Sequence, residues 1–130
     1  MNEDTRITAT IQAYFAAIRA GDRAAWLATF ASDIQAEDPA GSPIKQGLAE
    51  MGAFFDSVGG ALKGMDFHPV AIHPCGRRAA VFWQAVLEAH NGLTTACDGI
   101  DFFEFDGEGK INRVTGFWDP AAAFAALGLG

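Results

Sequence analysis

Three polar residues of this chain stand in sequence surroundings that are otherwise apolar. Asp101 occurs in Ile100-Asp101-Phe102-Phe103-Glu104-Phe105, where alternation places it on one strand face with two phenylalanines. Loss of hydration there favours the neutral acid over the carboxylate, and acids perturbed in this way mark candidate catalytic sites. Asp38 ends an apolar segment just before Pro39, and Tyr14, the one tyrosine of the chain, lies on the apolar stripe of a predicted helix.

Each of these residues also has an ordinary structural interpretation. An aspartate at the end of a strand often caps a neighbouring turn, which fits both Asp38 and Asp101. A tyrosine on a buried stripe is often packing, with its hydroxyl satisfied by the backbone. Taken singly, the three residues therefore indicate no function. Tyr14, Asp38 and Asp101 are called the polar trio below.

Helical patterns come first along the chain. From Asp4 to Ala20, apolar residues recur at spacings of four, four and three, which predicts an amphipathic helix that Gly21 ends. Two more helices are predicted, one capped by Asp22 and reaching Phe30, the other running from about Gly47 to Val58 and ended by Gly59 and Gly60.

Strand patterns dominate the second half. A short strand is predicted at Ile34–Asp38, and His90-Asn91-Gly92 and Asp106-Gly107-Glu108-Gly109 are hairpin signals. Four long strands are predicted, at Met65–Pro74, Ala79–Ala89, Leu93–Phe105 and Lys110–Trp118. A tail helix, Ala121–Leu127, is predicted behind a cap at Asp119. Three helices followed by a long curved antiparallel sheet predict an α+β fold with the helices packed on one face.

Composition narrows the function classes. With 130 residues, the chain is expected to form one domain spanning residues 1–130. Sixteen acidic against nine basic residues give a net charge of −7, which disfavours nucleic acid and anionic membranes as partners. Cys75 and Cys97 have no metal-site spacing, and the three histidines have no acidic or cysteine partner at such a spacing. A reduced, cytoplasmic protein without a bound metal is expected.

The segment Ala79–Ala89 carries apolar residues on both of its faces. We expect Phe82, Gln84 and Val86 to face the helices or a cavity. Trp83 and Leu87 would then lie on the outer face, where a second copy of the sheet is expected to cover them and form a homodimer. The alternative is that the tail helix covers that outer face.

Three segments, in this order and at these separations, match one known pattern. They are Tyr14-Phe15-Ala16-Ala17-Ile18-Arg19-Ala20-Gly21-Asp22, Glu37-Asp38-Pro39-Ala40-Gly41, and the stretch from Ile100 to Ile111. They resemble the first helix, the base-carrying turn and the acid-carrying strand of the bacterial ketosteroid isomerases, within the SnoaL-like or nuclear transport factor 2-like superfamily. The resemblance covers nearly the whole chain, and Phe117-Trp118 falls where some members carry an aromatic–Trp pair.

The resemblance implies a cone-shaped barrel, a curved sheet packed against three helices around an apolar pocket. It also implies the isomerisation of a β,γ-unsaturated ketone, such as a 5-ene-3-ketosteroid, to its conjugated isomer. Asp38 would move the proton, and Tyr14 with neutral Asp101 would donate hydrogen bonds to the dienolate oxygen. The neutral aspartic acid in that role comes with the resemblance. This chemistry requires no cofactor and no metal.

The resemblance also implies which residues line the pocket for an apolar small-molecule substrate, a steroid or a polyketide-like ketone. They are Phe30, Phe55, Phe82, Gln84, Val86, Phe103, Val114 and Trp118. Where some members place tyrosines that support the oxyanion tyrosine, this chain has Phe30 and Phe55, so Tyr14 would lose those hydrogen bonds. Gln84 would bond either a polar group of the substrate or a backbone carbonyl.

Two other functions stay open. SnoaL-like polyketide cyclases also use an aspartate as acid and base over an enolised ketone. A non-catalytic binder of an apolar molecule would keep the pocket without needing the polar trio. The Asp-Arg-Asp set of the superfamily's epoxide hydrolases is not expected, because Arg113 has the opposite parity to Val114 and should face outward.

Overall fold

Four helices and six strands form the fold, in a computed structural model that describes residues 2–130. The helices are α1 (Glu3–Ala20), α2 (Arg23–Leu27), α3 (Gly47–Ala61) and α4 (Pro120–Ala126). The strands are β1 (Phe30–Glu37), β2 (Lys45–Gln46), β3 (Leu62–Cys75), β4 (Arg78–Ala89), β5 (Thr94–Phe105) and β6 (Ile111–Phe117). They form one sheet in the order β2-β1-β6-β5-β4-β3, in which the pair β1–β6 is parallel and all other pairs are antiparallel. The predicted α+β class is confirmed.

Local capping signals set several helix ends. Gly21 takes the left-handed conformation (φ 64°) that ends α1, and the Asp22 side chain accepts a hydrogen bond from the Ala25 N–H to begin α2. Two of the predicted helix ends were wrong. Helix α2 stops before Phe30, because that residue already pairs with β6 in the sheet. Helix α3 runs through both Gly59 and Gly60, neither of which has a positive φ.

The helices pack on one face of the sheet, and the core lies between the two. Ile7, Ile11 and Phe15 of α1 are almost completely buried, and α1 packs chiefly against β3 while α3 packs against β1. Among residues 2–130, no helix combines the length and the apolar character needed to cross a bilayer.

The face of β4 that packs on the helices is the opposite of the predicted one. Trp83 and Leu87 are 2% and 1% exposed, whereas Val86 is 48% exposed. Val81 lies directly opposite Asp101 on β5, so the odd-numbered residues of β4 share the inner face with Asp101. Three residues predicted to line the cavity lie on the outer face instead, and that prediction is wrong for Phe82, Gln84 and Val86.

An apolar row crosses this outer face. Phe82 pairs with Ile100, and Ile100 pairs with Phe117, so one side chain from each of three adjacent strands lines up across the sheet. Ile100 and Phe117 are 46% and 51% exposed. Helix α4 does not cover the row, since its Pro120 and Phe124 line the cavity on the other side of the sheet. The alternative that the tail helix covers the outer face is therefore wrong.

Candidate active site

The polar trio converges on one cavity of about 160 Å³. Tyr14 reaches it from the middle of α1, Asp38 from the residue just after β1, and Asp101 from β5. The rest of the lining is apolar and rich in aromatic rings: Trp26, Phe54, Phe55, Phe67, Trp83 and Trp118. Three groups able to transfer or donate a proton thus face each other in surroundings that hold little else that is polar.

Gly116 of β6 makes room for both carboxyl groups. A Cβ atom at this position would lie 2.6 Å from Oδ1 of Asp38 and 3.3 Å from Oδ1 of Asp101. The carbonyl of Gly116 also accepts a 2.7 Å hydrogen bond from the Ala40 N–H, which ties the turn after Asp38 to β6. The two carboxyl oxygens therefore lie close to one common point, which a methyl group would occupy.

Asp38 is half-buried and has one clear hydrogen-bond donor. The indole Nε1–H of Trp118 donates to its Oδ1 at 2.8 Å. Burial raises the pKa of Asp38, while the Trp118 hydrogen bond and the charge of Lys45 lower it. The carboxylate is thus available as a base in an apolar pocket, and its raised pKa favours taking up a proton.

Asp101 and Tyr14 are both buried. Burial raises the pKa of Asp101 well above its usual range, and the nearby charge of Asp38 raises it further. Burial likewise raises the pKa of Tyr14, with added contributions from Asp101 and Asp38. Both shifts favour the protonated forms, in which each residue can donate an O–H hydrogen bond beside the Asp38 carboxyl group.

A family model described as the SnoaL-like domain matches residues 11–114. The chain belongs to the SnoaL-like family. A curated relative, the steroid Δ-isomerase of Nocardioides simplex, is 27% identical over 114 residues, covering 88% of this chain and 90% of the relative. The solved structure of Δ5-3-ketosteroid isomerase from a Mycobacterium species is 26% identical with a TM-score of 0.79, covering 90% of this chain and 95% of that one.

Structures with other chemistries share the SnoaL-like fold. TerC, co-crystallised with polyporic acid, has a TM-score of 0.83 at 22% identity, covering 95% of this chain and 98% of its own. The epoxide hydrolase/cyclase-like enzyme SalBIII, which acts in pyran ring formation in the polyether salinomycin, has a TM-score of 0.82 at 24% identity, covering 93% and 96%. At these identities the likeness shows the fold alone.

Other residues predicted to line the pocket of this SnoaL-like protein divide into two groups. Phe55 and Trp118 do line the cavity. Phe30, Phe103 and Val114 are buried but lie outside the lining. The rings of Phe30 and Phe103 pack edge-on against Tyr14, with centroids 6.0 and 5.2 Å from its own. Those two residues hold the tyrosine ring in place.

Sequence reasoning missed two tryptophans and one lysine. Trp26 and Trp83 line the cavity, and the Lys45 ammonium lies 4.4 Å from the Phe54 ring centroid and 3.4 Å from the Asp38 carbonyl oxygen. The one sequence signal that could have indicated Trp26 and Trp83 was the small number of tryptophans, since all three tryptophans of the chain line the pocket.

In the part of the chain that the structure describes, the cavity lining contains two aspartates and no arginine, so the Asp-Arg-Asp set of an epoxide hydrolase is absent there. Arg113 faces away from the cavity, as predicted, and bonds the Gln35 side chain and the Glu37 carboxylate. Within residues 2–130, no cluster of three or more histidine, cysteine or acidic side chains is arranged to hold a metal ion.

Proposed function

We propose that this SnoaL-like protein moves the double bond of a β,γ-unsaturated ketone, of the 5-ene-3-ketosteroid type, into conjugation with the carbonyl. The observation that carries the proposal is the meeting of Tyr14, Asp38 and Asp101 in one apolar cavity, with both carboxyls beside Gly116. The likeness to two steroid isomerases along most of the chain supports it.

The reaction needs one base and two donors. The Asp38 carboxylate removes a proton from the carbon α to the carbonyl, and the electrons of that C–H bond shift to give a dienolate with its negative charge on oxygen. Tyr14 and neutral Asp101 donate hydrogen bonds to this oxygen, which stabilises the charge where it develops. Asp38 then returns the same proton to the γ carbon, so the conjugated ketone forms and the carboxylate is restored.

The cavity suits this proton transfer in polarity and size. Its apolar lining keeps bulk water from competing for the proton held by Asp38. An apolar cavity of about 150 Å³ holds a single benzene ring, so about 160 Å³ encloses the reacting ring of a ketone. Further rings of a larger substrate would extend through the open side of the pocket.

The isomerisation creates a conjugated chromophore, so ultraviolet absorbance follows it directly. We expect purified protein to raise the absorbance of a 5-ene-3-ketosteroid solution far faster than buffer does, without any added cofactor. The matched control is the same protein saturated with a phenol that mimics the dienolate, which should suppress the rate. Folded protein with no rate above buffer would contradict the proposal, and would leave ketone cyclisation or ligand binding as the role of the pocket.

We also propose that the protein forms a homodimer through the outer face of the sheet. The row Phe82, Ile100 and Phe117 is apolar and uncharged, so two copies of an acidic chain can meet there without placing like charges together. Light scattering should give twice the mass of one chain. Ile100→Lys should give a monomer, while Leu48→Lys, at an exposed site on α3, should leave the dimer intact. A monomeric wild-type protein would contradict the assignment.

A further inference from the structure

The chain has three tryptophans, and all three line the cavity that holds the polar trio. The role of one of them is clear, because the indole N–H of Trp118 donates a hydrogen bond to the Asp38 carboxylate. The indole nitrogens of Trp26 and Trp83 are buried, and no acceptor among residues 2–130 completes a hydrogen bond to either of them. Buried donors without a partner are uncommon in native structures, and each requires an explanation.

Trp26 packs beside the Tyr14 ring. The two ring centroids are 5.8 Å apart, and both side chains are buried. The other rings packed against Trp26 belong to Phe30 and Phe55, which offer no acceptor. The approach of the Trp26 indole N–H lowers the pKa of Tyr14 against the effect of burial, although no full hydrogen bond joins the two groups.

Trp83 has the same relation to Asp101. It lies opposite Gly99 on β5, two residues from Asp101 on the same face. Its Cζ2 atom is 2.5 Å from where a Cβ of Gly99 would be, so the ring edge that carries Nε1 lies over β5. Its ring neighbours are Phe67 and Trp118, neither an acceptor. The approach of the Trp83 indole N–H lowers the pKa of Asp101 against the effect of burial, although no full hydrogen bond joins the two groups.

We propose that the indole N–H groups of Trp26 and Trp83 form a second layer of donors behind the oxyanion site. Trp26 acts through the Tyr14 hydroxyl, and Trp83 acts through the Asp101 carboxyl. Both are positioning residues, and the inference rests on the proposed function for the ketone oxygen that Tyr14 and Asp101 would face. Each residue of the polar trio then has one indole N–H as its hydrogen-bond donor.

The physical reason lies in where charge moves. When Tyr14 and Asp101 share their protons with an oxyanion, their own oxygen atoms gain negative charge and become better acceptors. Hydrogen bonds to charged acceptors are shorter and stronger than those between neutral groups. Bonds that are long or bent in a free enzyme tighten in its complex with the transition state or a mimic of it. The two open indole bonds should therefore close when the oxyanion forms. Because Phe30 and Phe55 cannot donate a hydrogen bond, Trp26 supplies the support that Tyr14 would otherwise lack.

Indole N–H resonances test this without turnover. In ¹⁵N-labelled wild-type protein three such signals are expected, and loss of one in Trp118→Phe identifies that residue. Saturation with 4-nitrophenol, whose phenolate mimics the dienolate oxygen, should move both remaining signals downfield. Trp26→Phe and Trp83→Phe should each bind the phenol on the order of 3- to 10-fold more weakly, as loss of one modest hydrogen bond predicts.

Two control variants separate the effect of losing the indole N–H donor from the effect of losing side-chain volume. Phe55→Leu trims the ring that packs on Trp26, and Phe67→Leu trims the ring that packs on Trp83, without removing a donor. Each tryptophan variant should weaken phenol binding more than its control and lower kcat with little change in KM. Indole signals that do not move in the saturated complex, or tryptophan variants that match their controls, would overturn the proposal. The wild-type spectrum keeps the test valid even if a variant does not fold.

The test also distinguishes this inference from the proposed function. If the indole N–H signals move but the protein has no isomerase activity, the second layer of donors is supported and the isomerase function is refuted. If the protein is active but the indole signals do not move, the isomerase function is supported and the second layer of donors is refuted. A wild-type protein that does not bind the phenol would refute both.

Discussion

Asp38→Asn is expected to lower the isomerisation rate by about 10²- to 10⁴-fold, the contribution typical of a positioned general base. The amide cannot take up the α proton, but its oxygen can still accept the Trp118 hydrogen bond, so the pocket should keep its shape. Removal of a negative charge beside the oxyanion site should leave phenolate binding unchanged or make it tighter. Absorbance kinetics and phenol titrations on the same preparation check both results.

Glu37→Gln is the matched control for Asp38→Asn. Glu37 is the neighbouring carboxylate, but it accepts the Gly41 N–H and pairs with Arg113 outside the cavity. A glutamine there can still accept the Gly41 hydrogen bond, so turnover should change little. If Asp38→Asn kept its activity and Glu37→Gln lost it, the base would be Glu37 and the assignment of Asp38 would be wrong.

Tyr14→Phe and Asp101→Ala are each expected to slow the reaction on the order of 10- to 1,000-fold, because each removes one donor to the oxyanion. Asp101→Asn should lose less than Asp101→Ala, since its amide N–H can still donate. The loss should appear in kcat with little change in KM, as expected for an interaction that strengthens in the transition state. Equal rates for Asp101→Asn and Asp101→Ala would contradict the role of Asp101 as a donor.

The Asp101 variants should also change how stability and rate depend on pH. Burial and the charge of Asp38 raise the pKa of Asp101 in the folded protein. The folded state therefore holds this proton more tightly than the unfolded state. This tighter proton binding contributes stability that is fully present below the pKa of Asp101 in the unfolded chain. That stability is lost as the pH rises through the pKa of Asp101 in the folded protein. Asp101→Asn should remove that decline from the free energy of unfolding. It should also remove the alkaline fall in rate that deprotonation of Asp101 causes, and a variant that kept both would show that Asp101 is ionised.

Local signals made much of this structure predictable. The caps at Gly21 and Asp22 are short-range features, as are the hairpin turn at His90-Asn91-Gly92 and the apolar face that Asp101 shares with its phenylalanines. Each depends on residues within a few positions along the chain, and each is present in the structure. The pocket positions of Tyr14 and Asp38 followed from motif order, because no local pattern brings a helix and a distant turn together.

Long-range pairing was not predictable in the same way. Both faces of β4 are apolar, so hydrophobicity alone could not decide whether Trp83 or Phe82 faces the helices. The decision comes from the register that places Val81 opposite Asp101, which is a property of two strands and not of one. The contact of Lys45 with the Asp38 turn was missed for the same reason.

The gathering of every indole into one cavity gives the protein an optical property. Tyr14, its sole tyrosine, lies 5.8 Å from Trp26, close enough to pass its excitation on to that indole. All tryptophan and tyrosine emission of the chain therefore originates from the walls of the pocket. A molecule that enters the pocket lies beside every indole at once, and a conjugated enone or phenol absorbs part of their light. The unlabelled protein thus reports its own occupancy, and quenching of its emission can rank chemically unrelated ligands before any substrate is known.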